Sequence, residues 1–378
     1  MKIGSQYYRS IWWDKSDPLI IKVIDQEKLP FLLEIKELGS VEEVYDSICS
    51  MTLRGAPAIG AAGAFGMYFA TLEIAGCSDA GTYLVNAAAR LISSRPTAVN
   101  LSWAVNRVLD QLTGIVAPEE LKKRALEAAL EIYDAELDNC IAIGRHGLSI
   151  IEEISRKKGG KPVNILTHCN AGWLACIDYG TVTAPIYLAR DRGIPVHVWV
   201  DETRPRNQGA MLTTFELANE DIPHTLITDN TGGHLMQRGM VDVVITGSDR
   251  TALSGDTANK IGTYLKALAA NDNNIPFYVA VPSSSIDFKI TDGMKEIPVE
   301  ERDQAEVTDV QGFNQGKIIS VRICPDYTKA ANFGFDITPA RLISGLITER
   351  GICKAAENDI KNMFPDKLDH NYGRRCKI

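Results

Sequence analysis

A chain of 378 residues, 45% hydrophobic and 23% charged, has the balance of a globular protein and the length for two domains. Its formal net charge of −8 argues against a nucleic-acid partner, because an acidic surface gains nothing from counterion release. The eight cysteines form no C-x-x-C pair and no zinc-type spacing, so they read as reduced, mostly buried thiols of a cytoplasmic protein.

The opening MKIGSQYYRS has no apolar core of the kind a signal peptide needs. Residues 1–36 carry the runs LIIKVID and FLLEI and predict short strands or a hairpin. At Ser40 the period changes: Ser40-Val-Glu-Glu43 is a capping box opening a helix that runs to about Thr52. Helical patterns then cover 57–75, 79–93, 98–113 and 118–155. Gly55 to Leu72 is eighteen residues without a charge. Its Ala and Gly content, Pro57 and the following Glu73 fit a buried helix, not a membrane span of roughly 20 predominantly apolar residues. The 118–155 helix sets Leu121, Leu126, Ala129 and Leu130 on one stripe, and its Gly144 and Gly147 mark a break or a close helix crossing.

The turn-forming RKKGGKP (156–162) separates an expected N-terminal domain, 1–155, from a second, 163–378. There the grammar becomes strand, turn, helix: VNILTH with a helix at 180–192, VHVWVDE with 209–220, HTLITD with 231–239, VDVVITG with 259–271, then FYVAVP. Short, β-branched runs of this kind predict a parallel sheet and an α/β fold class. Residues 289–320 are charged and irregular and read as a surface excursion; TPARLISGLITERG (338–351) reads as a closing helix.

In open parallel sheets ligands bind beyond the carboxyl ends of the strands. Those positions here hold Thr167-His168-Cys169-Asn170, Asp201-Glu202-Thr203-Arg204, Asp229-Asn230, Gly247-Ser248-Asp249-Arg250 and Pro282-Ser283-Ser284. Cys169 is a thiol beside polar neighbours, able to ionise, and Asp249 sits similarly at its own strand end. His168 reads as a satisfied core histidine and Cys176 as core. Arg54-Gly55-Ala56-Pro57 places an arginine and two amides at a helix start, an anion-binding design repeated at Ser94-Arg95-Pro96-Thr97. No dinucleotide fingerprint, Walker A sequence or metal-ligand spacing is found, so neither cofactor nor metal is expected.

These same segments resemble the methylthioribose-1-phosphate isomerase family: RGAPAIG (54–60), SRPTAVNL (94–101), THCNAG (167–172), DETRPRNQGA (201–210), GSDRTALSGDTANKIGTY (247–264) and NFGFDITPARLISGLITE (332–349). The likeness spans nearly the whole chain, in order. The wider superfamily includes ribose-1,5-bisphosphate isomerases and regulatory subunits of a translation-initiation exchange factor. The resemblance implies a Rossmann-like C-terminal domain, a smaller N-terminal domain and a homodimer acting on a sugar phosphate. It puts the catalytic thiol at Cys169 and the catalytic acid at Asp249, with substrate contacts at Arg54, Gly55, Ala56, Arg95, Gln208, Asn259 and Lys260. Gln208, Asn259 and Lys260 come from the resemblance alone. The family commonly carries a small residue where Trp173 stands, so that side chain is expected to reshape the pocket for the C5 substituent.

The implied reaction is opening of a ribose 1-phosphate ring and transfer of a hydrogen from C2 to C1, as enolate or as hydride. The implied substrate is 5-methylthioribose 1-phosphate, in methionine salvage. 5-Deoxyribose 1-phosphate and ribose 1,5-bisphosphate remain as alternatives, as does a non-catalytic regulatory subunit.

Overall fold

A computed structural model describes residues 1–74, 77 and 79–368; Cys376 lies outside them. The N-terminal region begins with an antiparallel sheet of Ile11–Asp14, Asp17–Ile24 and Ile35–Leu38. Helix α1, Val41–Cys49, follows the capping box: the Glu43 amide donates to Ser40 Oγ at 3.2 Å, and the Glu43 carboxylate accepts from the Gly39 amide at 2.7 Å. Helices α2 (Ala56–Glu73), α3 (Ala80–Ser93), α4 (Val99–Leu112) and α5 (Pro118–Lys157) complete this region.

Every residue of α2 from Ala56 to Thr71 is buried, which explains a helix without a polar face. Its small residues let neighbours approach closely: a Cβ on Gly63 would lie 2.5 Å from Leu101 Cδ1 on α4. Among the described residues no helix is long and apolar enough to cross a membrane.

Forty residues long, α5 runs unbroken through Gly144 and Gly147. The glycines serve the close crossing, not a break, since a Cβ at Gly144 would lie 2.8 Å from Ala184 Cβ. Leu121 to Tyr133 pack in the core around α2, while Ile143 to Ile151 pack in the core beneath the large sheet. One helix thus bolts the two cores together.

The large sheet has six parallel strands: Val163–Thr167, Val196–Asp201, His224–Ile227, Val243–Thr246, Phe277–Ala280 and Gly345–Thr348. Numbered in chain order they stand 3-2-1-4-5-6, with Gly351–Cys353 antiparallel at the edge. This is the doubly wound order, whose direction reverses between the first and fourth strands. The α/β expectation is met.

Three segments differ from expectation. The 338–351 stretch is not a helix: Phe335–Thr338 is a strand, Ala340–Leu342 one tight turn, and Gly345–Thr348 the sixth parallel strand. Ile343, Leu346 and Ile347 fit either period, but Gly345 disfavours a helix and the buried slot beside Phe277–Ala280 takes a strand. The helix expected at 259–271 starts only at Thr263, because Thr257–Lys260 pairs antiparallel with Arg250–Ala252 and Phe335–Thr338. The expected irregular 289–320 segment ends in the hairpin of Asp309–Asn314 and Lys317–Arg322, which runs two residues past it and whose strands are largely exposed and show no buried alternation.

Candidate active site

The first and fourth strands end side by side at the switch point, and Cys169 and Asp249 follow them directly. Cys169 adopts φ +68°, an uncommon conformation for a side-chain-bearing residue. Its amide donates to Thr203 Oγ1 at 2.8 Å and its carbonyl accepts from Thr213 Oγ1 at 2.7 Å. The Asp249 amide donates to the Ala258 carbonyl at 3.0 Å. That bond opens the small antiparallel sheet that brings Asn259 and Lys260 to the same crevice.

The opposite wall is the start of α2. Gly55 has φ +95°, and a Cβ there would lie 2.4 Å from Ala175 Cα, so only glycine fits this approach of the helix to the 173–176 turn. Arg54 forks onto Asn170, one nitrogen donating to Oδ1 and the other to the carbonyl at 2.7 Å. Arg95 lies with Nε 3.7 Å from Glu300 Oε2 and a terminal nitrogen 3.2 Å from Met51 Sδ.

All nine residues expected at the site line one cavity of about 640 Å³ counting its open mouth: Arg54, Gly55, Ala56, Arg95, Cys169, Gln208, Asp249, Asn259 and Lys260. Two of them hold buried polar atoms with no hydrogen-bond partner among the described residues, Arg95 Nε and Gln208 Oε1. Buried polar atoms are ordinarily paired, so these two suit a polar ligand.

Burial raises the Asp249 carboxyl above the ordinary aspartate range, against the opposing pull of Lys260, Arg95 and Arg54. Burial likewise raises the Cys169 thiol, opposed by Arg54 and Lys260. It lowers the Lys260 ammonium, which Cys169 and Asp249 act to hold charged. The cavity therefore combines an acid that keeps its proton to higher pH, a thiol and three cationic side chains. Such a wall can hold a phosphate and protonate an oxygen beside it.

His168 behaves as the satisfied histidine expected, with Nδ1 2.9 Å from Asp201 Oδ2 and Nε2 2.7 Å from the Ile261 carbonyl oxygen. Ligand atoms of His168, Asp201 and Asp229 lie within 4.8 Å of one another. Lys266 Nζ, 3.2 Å from Asp201 Oδ2, already supplies a positive charge to that cluster. Trp173 departs from expectation: it is fully buried in the core beneath the sheet and does not line the cavity. The turn of Trp173–Ala175 points it inward, while Ala171, Ala175 and Cys176 reach the cavity wall. Cys176 is thus buried, as expected, and also borders the site.

Sequence reasoning misses Asn170 as the anchor of Arg54, and Met51, Ser285 and Phe335 as wall residues. Asn170 stands next to Cys169 in THCN, which was its one visible signal.

Residues 52–355 match the model of the Initiation factor 2 subunit family. A methylthioribose-1-phosphate isomerase of Desulfatibacillum aliphaticivorans is 53% identical over 368 residues, 97% of this chain and all of that one. The crystal structure of the 5-methylthioribose 1-phosphate isomerase of Pyrococcus horikoshii OT3 superposes with a TM-score of 0.80 at 35% identity, covering 96% of this chain and 97% of the other. The translation initiation factor eIF-2B subunit delta of A. fulgidus gives 0.76 at 37% identity, covering 95% and 100%.

Proposed function

We propose that this chain, which belongs to the Initiation factor 2 subunit family and groups with its methylthioribose-1-phosphate isomerases, converts 5-methylthioribose 1-phosphate into 5-methylthioribulose 1-phosphate, as a step of methionine salvage. The observation that carries this reading is the placement of Cys169 and Asp249 across one switch-point crevice ringed by Arg54, Arg95 and Lys260.

In a ribose 1-phosphate the phosphate blocks spontaneous opening of the ring. Asp249, whose burial favours the protonated form, gives its proton to the ring oxygen, and the bond from C1 to that oxygen breaks. A hydrogen then moves from C2 to C1, and the C2 hydroxyl becomes the ketone as its proton returns, directly or through solvent, to the Asp249 carboxylate. Protons given and taken are equal, as an isomerisation requires. Cys169 faces C2, either as a thiolate base that removes its hydrogen, which Arg54 and Lys260 favour and burial opposes, or as the thiol that polarises its oxygen during a hydride shift. A substrate deuterated at C2 separates the two: full retention of label at C1 marks hydride transfer, and exchange with water marks proton abstraction. Arg54, Arg95 and the Gly55 and Ala56 amides hold the phosphate alike in ground state and transition state.

The cations on the described wall, Arg54, Arg95 and Lys260, suit one phosphate, and Met51, Pro57, Ala175 and Phe335 offer apolar surface for a C5 tail. This favours the methylthio or deoxy sugar over a bisphosphate. The likeness to the A. fulgidus subunit keeps a non-catalytic regulatory role as the rival reading. Incubation of the protein, chelator present, with each of the three sugar phosphates, followed by NMR, decides between them. Ketose formation with the highest kcat/KM for the methylthio sugar is expected. No ketose from any of the three would favour the regulatory subunit.

We also infer a cytoplasmic homodimer, with the chain divided at 1–155 and 163–378. Exposed Ile319 and Val321, which share one face of the 309–322 hairpin, favour a subunit contact there. Sedimentation equilibrium at twice the chain mass is the expected result.

A further inference from the structure

Glu216 lies in the short helix Thr214–Asn219, behind the cavity wall, and is fully buried. Its direct partners among the described residues are N–H and O–H donors and not a cation, and burial pushes its carboxyl up to about 7. Instead, N–H donors converge on it. Oε1 accepts from Asn170 Nδ2 at 2.9 Å and from the Leu174 amide at 3.0 Å, and Oε2 accepts from the Trp173 amide at 3.1 Å. The Tyr187 hydroxyl stands 3.4 Å from Oε2. The loop is shaped around it: a Cβ on Gly172 would fall 1.6 Å from Oε2, so Gly172 admits no other residue.

Burying a carboxylate without a salt-bridge partner is costly, so an apolar side chain in this helix would serve packing better. What the carboxylate does is orient an amide. Asn170 Nδ2 also donates to Thr213 Oγ1 at 3.2 Å, so both partners of its NH2 group lie on the side away from Arg54. Its Oδ1 is thereby left to accept from Arg54. Thr213 in turn donates to the Cys169 carbonyl. We propose that Glu216 is a positioning residue that fixes the Asn170 amide, and through it the Arg54 guanidinium, for phosphate binding.

This rests on the reading of Arg54 as a phosphate-holding residue. With Gln at 216, an NH2 group replaces one acceptor oxygen beside three N–H donors. Asn170 then loses its orientation and Arg54 loses an acceptor. Phosphate contacts persist from ground state to transition state, so the loss falls on KM.

The test is a double-mutant cycle on kcat and KM for the sugar phosphate, with Glu216→Gln and Arg54→Ala singly and together. Glu216→Gln is expected to raise KM about tenfold with kcat little changed, the effect of one weakened charge-assisted hydrogen bond. In the Arg54→Ala background it is expected to add nothing. Glu216→Asp, which keeps the charge but draws it back by one methylene, carries the same expectation where the Gln variant does not fold. An equal KM increase in both backgrounds, or a fall in kcat at constant KM, overturns the proposal. If Arg54→Ala itself leaves KM unchanged, the phosphate reading of Arg54 fails first and this proposal falls with it.

Discussion

As the proposed acid, Asp249 has to keep a proton that a free aspartate releases near pH 4, and its burial at the switch point raises its pKa in that direction. A general acid works only while protonated. The kcat profile is therefore expected to fall as pH rises through the raised pKa of Asp249, with that alkaline limb above the ordinary carboxylate range. A limb at pH 4 would remove the acid role. Trp173 gives a contrasting prediction: Trp173→Ala leaves the preference among C5 substituents unchanged while costing about 3–5 kcal/mol of stability, measured by urea unfolding. A switched preference would return Trp173 to the specificity pocket. Cys169 and Asp249 are legible in sequence because each closes a β-branched run, and strand ends are where an open α/β sheet binds. Asn259 and Lys260 are not, because the short antiparallel pair that carries them looks like a loop running into a helix. Glu216 is hidden for another reason. It falls four residues after Leu212 on the buried face of its helix, but a glutamate beside Leu217 reads as solvent-facing until the contacts are known.

At the scale of elements, the strongest patterns were the readable ones. The capping box, the uncharged helix α2 and the first strand–helix units appear where periodicity places them, while the helix after the fourth strand starts later than the pattern predicts. The sixth strand reads as a helix in sequence because an amphipathic helix and a buried strand share its apolar spacing; only the slot beside the fifth strand decides between them. The glycines of α5 were ambiguous in sequence for a similar reason: a break and a close crossing demand the same residue. The structure makes the crossing testable. Gly144→Leu is expected to destabilise the protein by about 1–3 kcal/mol in denaturant unfolding, as an overpacked contact with Ala184. Ser149→Ala on the exposed face of the same helix stays within about 0.5 kcal/mol. Equal effects at the two positions would deny the crossing its role.

At the scale of the whole molecule, α5 joins the two cores, and its Glu136 is a buried carboxyl pushed up to about 7, chiefly by burial and opposed by Ser284 and Asn139. Ser284 Oγ accepts from Asn100 Nδ2 at 2.9 Å, and Ser285 Oγ donates to Asn100 Oδ1 at 2.8 Å, so this carboxyl abuts a polar network linking α4 to the fifth strand's end. The sign of its linkage is fixed. A carboxyl raised on folding binds more protons in the native state between pH 4.5 and 7, so its contribution to stability falls as pH rises through that window. Above pH 7 the native state carries a cost of up to about 3 kcal/mol. Glu136→Gln is accordingly expected to be more stable than the parent at pH 8, with the difference shrinking towards pH 5. A difference independent of pH would refute the linkage. No sequence pattern announces this group, because burial of Glu136 depends on two cores meeting along one helix.

The central claim is that Asp249 supplies the proton that opens the ring. The most direct measurement pairs turnover with binding in Asp249→Asn, using NMR for ketose formation and calorimetry for the sugar phosphate. Turnover is expected to fall by about 10²–10⁴-fold with affinity nearly unchanged, since the amide keeps the shape and loses the proton. Turnover at the parent rate would contradict the account.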